Sequence, residues 1–240
     1  CIYHGWVKKY TMKILFFFIF SGIFANDQSW NEILLYNASF GGVNVATATL
    51  KSKKIKNNQN QDILRIEFKA KSKPSLKYIF PINDKIIIDI DLNTWQPIKV
   101  DKKIREGSYK QNATSTYDHK NKMFIYKEDS ISYDGEIFNP YSLIYYFRTL
   151  DFSSDANYEI QVVDNKKVTQ LKFFADKKVK IKTVLGKFYA NKIWPKKMNG
   201  EPFKNAGKIT MWISDRDKLP IIINLKMKFG SLNLELAKIN

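Results

Sequence analysis

Apolar and charged side chains alternate with a period of two along most of this chain, and nothing else in the sequence limits the fold as strongly. In DILRIEFKA, Leu64, Ile66, Phe68 and Ala70 alternate with Arg65, Glu67 and Lys69. Near the C-terminus Ile221, Ile223, Leu225, Met227 and Phe229 alternate with Asn224, Lys226 and Lys228, and Leu232, Leu234 and Leu236 follow after Gly230-Ser231. The same half-buried rhythm includes Val43, Val45, Leu171, Phe173, Val179 and Ile181. Period two puts one side of each strand in a core and the other in water. The expected fold is therefore all-β with one short helix: a strongly curved antiparallel sheet, a half-barrel or β-spiral. Residues 26–240 form one domain in this reading, since no composition shift or repeat divides them. Lys51 to Asp62, Arg105 to Lys122 and Trp194 to Gly207 read as loops.

The helix is expected in NPYSLIYYFRTL, from Asn139 to Leu150. Asn139 suits an N-cap and Pro140 a first turn that needs no amide hydrogen. Leu143, Phe147 and Leu150 make one stripe, and Tyr141, Tyr145 and Arg148 make another. The simpler expectation sets the aliphatic stripe on the sheet and half-buries the tyrosines at its edge; the sharper one turns Tyr145 and Arg148 into a cavity. An inward guanidinium needs an acceptor, either a protein carboxylate such as Asp215 or the anionic head group of a ligand, and the internal pair is the expectation.

Upstream, Met12-Lys13 is followed by an apolar run from Ile14 to Ala25 and then by Asn26-Asp27-Gln28. A basic start, about a dozen apolar residues and a small exit residue fit a cleavable signal peptide, too short for the roughly 20 residues of a membrane span. Residues 1–25 are thus read as upstream sequence plus leader, and a periplasmic location is expected. Cys1, the only cysteine, lies in that segment, so the processed chain would have neither disulfides nor thiol chemistry. The net charge of +17 comes mostly from lysine. It favours anionic partners, while the leader and the lack of nucleic-acid motifs argue against nucleic acid.

Catalytic signatures are sparse. His119 stands alone in TYDHKNK and reads as a solvated loop residue. Asp89 and Asp91 share one strand face, and Asp215 and Asp217 flank Arg216 in a turn before Leu219-Pro220. Strand and turn structure account for both pairs without acid-base chemistry. The nucleotide, serine-hydrolase and zinc motifs do not occur.

Four stretches in order carry a resemblance: LLYNASFGGVNVATATL, IDIDLNTWQPIKVDKKIREGSY, NPYSLIYYFRTLDF and MWISDRDKLPIIINLKMKFGSLNLEL. With them the chain resembles the bacterial exported family catalogued as domain of unknown function 3108. The resemblance implies an exported all-β protein of unsettled function, with Arg148, Trp212, Asp215 and Pro220 at characteristic positions. More distantly, such sheets resemble the half-barrels of periplasmic lipoprotein carriers. The expected function is a noncatalytic envelope protein without cofactor or metal, peripheral to the membrane at most. It would hold an acyl lipid, lipoprotein or apolar polypeptide in the concave face, with Tyr141, Tyr145, Arg148, Trp212 and Asp215 as candidate ligand-binding residues. The alternative is a scaffold or assembly factor that meets an envelope partner through a basic face or sheet edge. An envelope hydrolase comes third.

Overall fold

The computed structural model describes residues 30–152, 158–200, 209–227 and 230–240. The expected leader and cleavage point lie outside the described residues, as does Phe229. One 15-stranded sheet runs through the molecule. Its first half comprises β1 (Glu32–Phe40), β2 (Val43–Lys56), β3 (Asp62–Ser72), β4 (Asn83–Asp91), β5 (Pro97–Glu106), β6 (Tyr109–Asp118), β7 (Met123–Tyr126) and β8 (Asp129–Ser132). After β9 (Ile137–Phe138) and the helix α1 (Ser142–Thr149) come β10 (Tyr158–Asp164), β11 (Lys167–Thr183), β12 (Gly186–Lys197), β13 (Ile209–Ser214), β14 (Pro220–Met227) and β15 (Gly230–Ile239).

Both halves are meanders, and they join where β15 pairs with β1. The pairing is antiparallel except between β9 and β10. The outermost strands, β8 and β9, are successive in the chain. Curvature brings the two halves within side-chain reach there: Gln111 Nε2 donates to Asn165 Oδ1 at 2.7 Å, and Lys166 pairs with Asp129. The result is an open, strongly curved sheet that stops short of a ladder-closed barrel.

Alternation decides which face is buried. Leu64, Ile66, Phe68 and Ala70 point into the core while Arg65, Glu67 and Lys69 point out, and Ile223, Leu232, Leu234 and Leu236 are buried as the pattern requires. Leu225 is only half-buried, and Val43, at the Gly41-Gly42 turn, is exposed. Outward charges pair across strands, as where Glu67 lies between Lys69 at 2.6 Å and Lys85 at 3.2 Å.

All three expected loops are partly strand: the third begins inside β12, which continues to Lys197, and residues 201–207 of it lie outside the described residues. β2 and β3 continue to Lys56 and from Asp62, leaving a turn of five residues. Most of Arg105 to Lys122 is β6, which alternation misses because YKQNATSTYD is polar on both sides; its backbone bonds to β5 and β7 make it a strand regardless. Among the described residues no helix is long and apolar enough to cross a membrane.

Candidate functional site

Helix α1 occupies the concave side of the sheet. Asn139 Oδ1 accepts from the amides of Tyr141 at 2.8 Å and Ser142 at 2.9 Å, and Ser142 Oγ accepts from the Asn139 amide at 3.1 Å. This reciprocal cap fixes the helix start in the way the sequence leads one to expect. Beyond it, Leu143, Ile144, Tyr145, Phe147 and Arg148 are all buried, so the helix has no wet face of normal width. Phe147 meets Phe173 at 4.8 Å between ring centres, and Tyr141 meets Phe68 at 5.7 Å. The void enclosed by Tyr36, Leu50, Phe68, Tyr141, Ile144, Ile223, Leu225 and Leu234 measures about 10 Å³. That is the threshold for one water, and its lining is mostly apolar.

At the C-terminal end of α1 the Arg148 guanidinium is only 1% exposed. Its Nη1 and Nη2 bind the two carboxylate oxygens of Glu32, the latter at 3.0 Å, and Nε donates to the Lys218 carbonyl at 2.9 Å. The rings of Trp30 and Tyr145 lie against it, each 5.0 Å from the guanidinium carbon. Trp95 packs on Trp30 in turn, tilted by 55° at 4.7 Å between ring centres. Burial by itself opposes the arginine charge, but the Glu32 carboxylate outweighs it, so Arg148 titrates above its ordinary range. A bidentate pair with a third acceptor satisfies the geometric demands of a buried ion pair.

The expected partner was Asp215, and the structure corrects this to Glu32. Asp215 sits in the β13–β14 turn, where its amide bonds the Tyr189 carbonyl at 2.9 Å and its carboxylate accepts from Asn191 at 3.4 Å. The turn still reaches Arg148, through the carbonyl of Lys218, whose φ of 52° aims the backbone inward. Tyr36 from β1 fastens the same turn by donating to the Pro220 carbonyl at 2.8 Å.

Tyr145 also departs from the expected half-burial, because it is fully buried beside Arg148. Burial pushes its phenol well above the usual range, opposed by the Arg148 charge and by the Ser52 hydroxyl that lies beside it. Trp212 lies elsewhere. Its neighbours Met211 and Ile213 are inward, so Trp212 faces out, with Lys192 5.8 Å above its ring and Trp194 sharing the same lysine at 5.3 Å. Of the five candidates, then, Tyr145 and Arg148 meet, Tyr141 lines the void, Asp215 touches neither, and Trp212 is on the other side of the sheet.

Sequence reasoning missed Glu32, Trp30, Tyr36 and Trp95. A signal for Glu32 existed: in WNEILLY, residues 30–36, it shares its strand face with buried Leu34, Tyr36 and Ala38. A carboxylate on an apolar face requires a buried partner.

Other polar groups are engaged in structure. Arg65 binds both oxygens of Asp89 at 2.7 Å, and Asp91 accepts from Gln61 at 2.6 Å and from the turn amides of Asn93 and Thr94. His119, expected as a solvated residue, bridges Tyr133 at 2.9 Å and the Pro97 carbonyl at 2.8 Å. A larger groove of about 390 Å³ lies on the outer face of β6 and β7, lined by residues such as Asn112, Thr114 and Ile125. Among the described residues no group of three His, Cys, Asp or Glu side chains is placed to hold a metal ion.

Comparison with known proteins bears on the whole of this fold. The family model described as "Protein of unknown function (DUF3108)" matches residues 35–237. The chain belongs to that family. A DUF3108 chain with this topology is also similar to a solved structure, the beta-barrel-like protein of domain of unknown function DUF1849 from Brucella abortus. The TM-score is 0.55 at 10% identity, over 87% of this chain and 96% of the other, a likeness of fold. No curated protein matches.

Proposed function

We propose that this DUF3108 protein is a noncatalytic, exported envelope protein that works through its outer surface, as a scaffold or assembly factor, with its interior serving structure. The observation that carries this reading is the packed concave face: α1 is buried along most of its length against the sheet, and the apolar void between Tyr141, Ile144, Ile223 and Leu234 measures about 10 Å³. An acyl chain needs hundreds of Å³, in the range of ordinary ligand pockets. Arg148 and Tyr145 are committed to Glu32, Lys218 and Trp30, so neither presents a free head-group contact. The outer face, by contrast, carries most of the lysines.

The carrier reading keeps one observation in its favour. The void is lined from both α1 and the sheet, by Tyr141 and Ile144 on one side and Ile223 and Leu234 on the other, so an outward shift of α1 would open an apolar trough. Solvent extraction of the purified protein followed by lipid mass spectrometry decides between them. The outer-surface reading expects no stoichiometric acyl lipid; one lipid per chain would overturn it in favour of the carrier.

A further inference from the structure

Three neighbouring turns crown one rim of the sheet: Gly41-Gly42 between β1 and β2, residues 73–82 between β3 and β4, and Gly107-Ser108 between β5 and β6. Because β1 to β6 are adjacent in order, these turns stand in a row, each about 10 Å from the next by strand spacing. They are also tied together. The Lys73 amide bonds the Val45 carbonyl at 2.9 Å, the Gly107 amide bonds the Pro81 carbonyl at 2.8 Å, and Phe40 meets Phe80 at 5.9 Å.

Each turn presents a large apolar side chain to solvent. Tyr78 is 85% exposed, Ile79 70%, Val43 55% and Tyr109 53%. In the middle turn this exposure is built in: the amides of Ile79 and Phe80 bond the Leu76 carbonyl, and Ser72 Oγ accepts from Ile82 at 2.6 Å. Leu76 and Phe80 turn toward the core, which leaves Tyr78 and Ile79 pointing out. Around the middle turn, residues 70–83 contain Lys71, Lys73 and Lys77 and no acidic residue. Lys77 lies 4.8 Å over the Tyr78 ring. The nearest carboxyls below the row, Asp84 and Glu106, hydrogen-bond each other.

We infer that this row of turns docks on the surface of a bilayer bearing anionic phospholipid, with Tyr78 and Ile79 entering the interfacial zone and the lysines meeting the phosphates. A soluble polyanion would use the lysines alone, whereas an interface also gains from exposed apolar side chains, and tyrosine and lysine both suit its polar-apolar boundary. The inference rests on the reading that the outer surface is the working one.

Vesicle flotation tests it, using the protein with phosphatidylcholine vesicles that contain or lack roughly one-third phosphatidylglycerol. Binding is expected only to the anionic vesicles and should weaken as salt rises. Tyr78→Ser/Ile79→Ser and, separately, Lys73→Glu/Lys77→Glu should each weaken it by about tenfold or more. Val184→Ser/Leu185→Ser, at the exposed tip of the β11–β12 hairpin on the opposite rim, should bind like the parent. No binding to anionic vesicles overturns the inference, and so does full binding by Tyr78→Ser/Ile79→Ser, which would leave charge alone as the cause. Unchanged melting curves confirm that these surface variants fold. If vesicle binding behaves as expected while extraction yields stoichiometric lipid, docking stands and the filled-interior reading fails; if extraction is clean and vesicles are ignored, docking alone fails.

Discussion

Two arginine–carboxylate pairs in this molecule have the same chemistry and opposite surroundings. Arg65 and Asp89 face each other across β3 and β4 on the outer side, bidentate at 2.7 Å, with the Arg65 side chain 49% exposed. Arg148 and Glu32 are bidentate too, but sealed between Trp30 and Tyr145 at one end of the helix. The outer pair is one cross-strand contact among many, and water reaches its arginine, although Asp89 is about as covered as Glu32, 12% against 11% exposed. The inner pair joins α1, β1 and the β13–β14 turn, three elements that no backbone ladder connects in this way. A salt bridge here is informative because of what it links and what would be left if it broke.

The widest gap between the pairs should appear on truncation. Arg148→Ala leaves the Glu32 carboxylate buried without its partner and should cost about 3 to 5 kcal/mol in a denaturant melt. Replacing both partners together, as in Arg148→Met/Glu32→Leu, should recover much of that loss, since an apolar pair needs no compensating charge. A double variant no more stable than Arg148→Ala would break the comparison.

Core truncation gives an intermediate scale. Leu234→Ala, at a fully inward position of β15, should cost about 2 to 5 kcal/mol, while exposed Lys238→Ala on the same strand should stay under about 0.5. Equal losses would mean that the buried face is wrongly assigned.

A like-charged pair sharpens the contrast further. Burial first, and then the neighbouring Asp84 carboxylate, push Glu106 from the usual 4.5 up to about 7. Asp84 is raised as well, chiefly by burial. The folded protein therefore holds a proton that the unfolded chain releases. The stability tied to it is complete below about pH 4.5 and is lost as pH rises through about 7. Because the site is partly exposed, the loss should be on the order of 1 to 2 kcal/mol. Glu106→Gln should flatten that part of the stability–pH curve, and an unchanged slope would remove the pair as its source.

The smallest effect belongs to the outer arginine. Arg65→Ala should cost about 1 kcal/mol, because water entering where the half-exposed arginine stood can hydrate the covered Asp89 carboxylate, and added salt should shrink the difference from the parent, whereas the Arg148→Ala loss should hardly respond to salt.

How much of this was legible in the sequence follows from the range of each interaction. Leu64, Ile66 and Phe68 announce their buried face because alternation is local and the sheet uses it strand by strand. The capped helix was legible from Asn139 and Pro140 for the same reason. β6 was not, because a polar strand held by its neighbours' backbone has no apolar rhythm to show. The Arg148 partner was hidden because 116 residues separate it from Glu32, and only the joining of β15 to β1 brings the first strand under the helix end. Asp215 was a near miss: the right turn, reached through Lys218's carbonyl instead of a carboxylate.

The central claim is that α1 is a fixed part of the core, held by the Arg148–Glu32 pair, and not a gate over a ligand trough. Native-state hydrogen exchange of the α1 amides from Leu143 to Arg148 tests this directly. If the claim holds, they exchange only with global unfolding, at the same opening free energy as the central strands β1 to β3. If α1 opens several kcal/mol more easily than those strands, the helix is a movable lid and the account is contradicted.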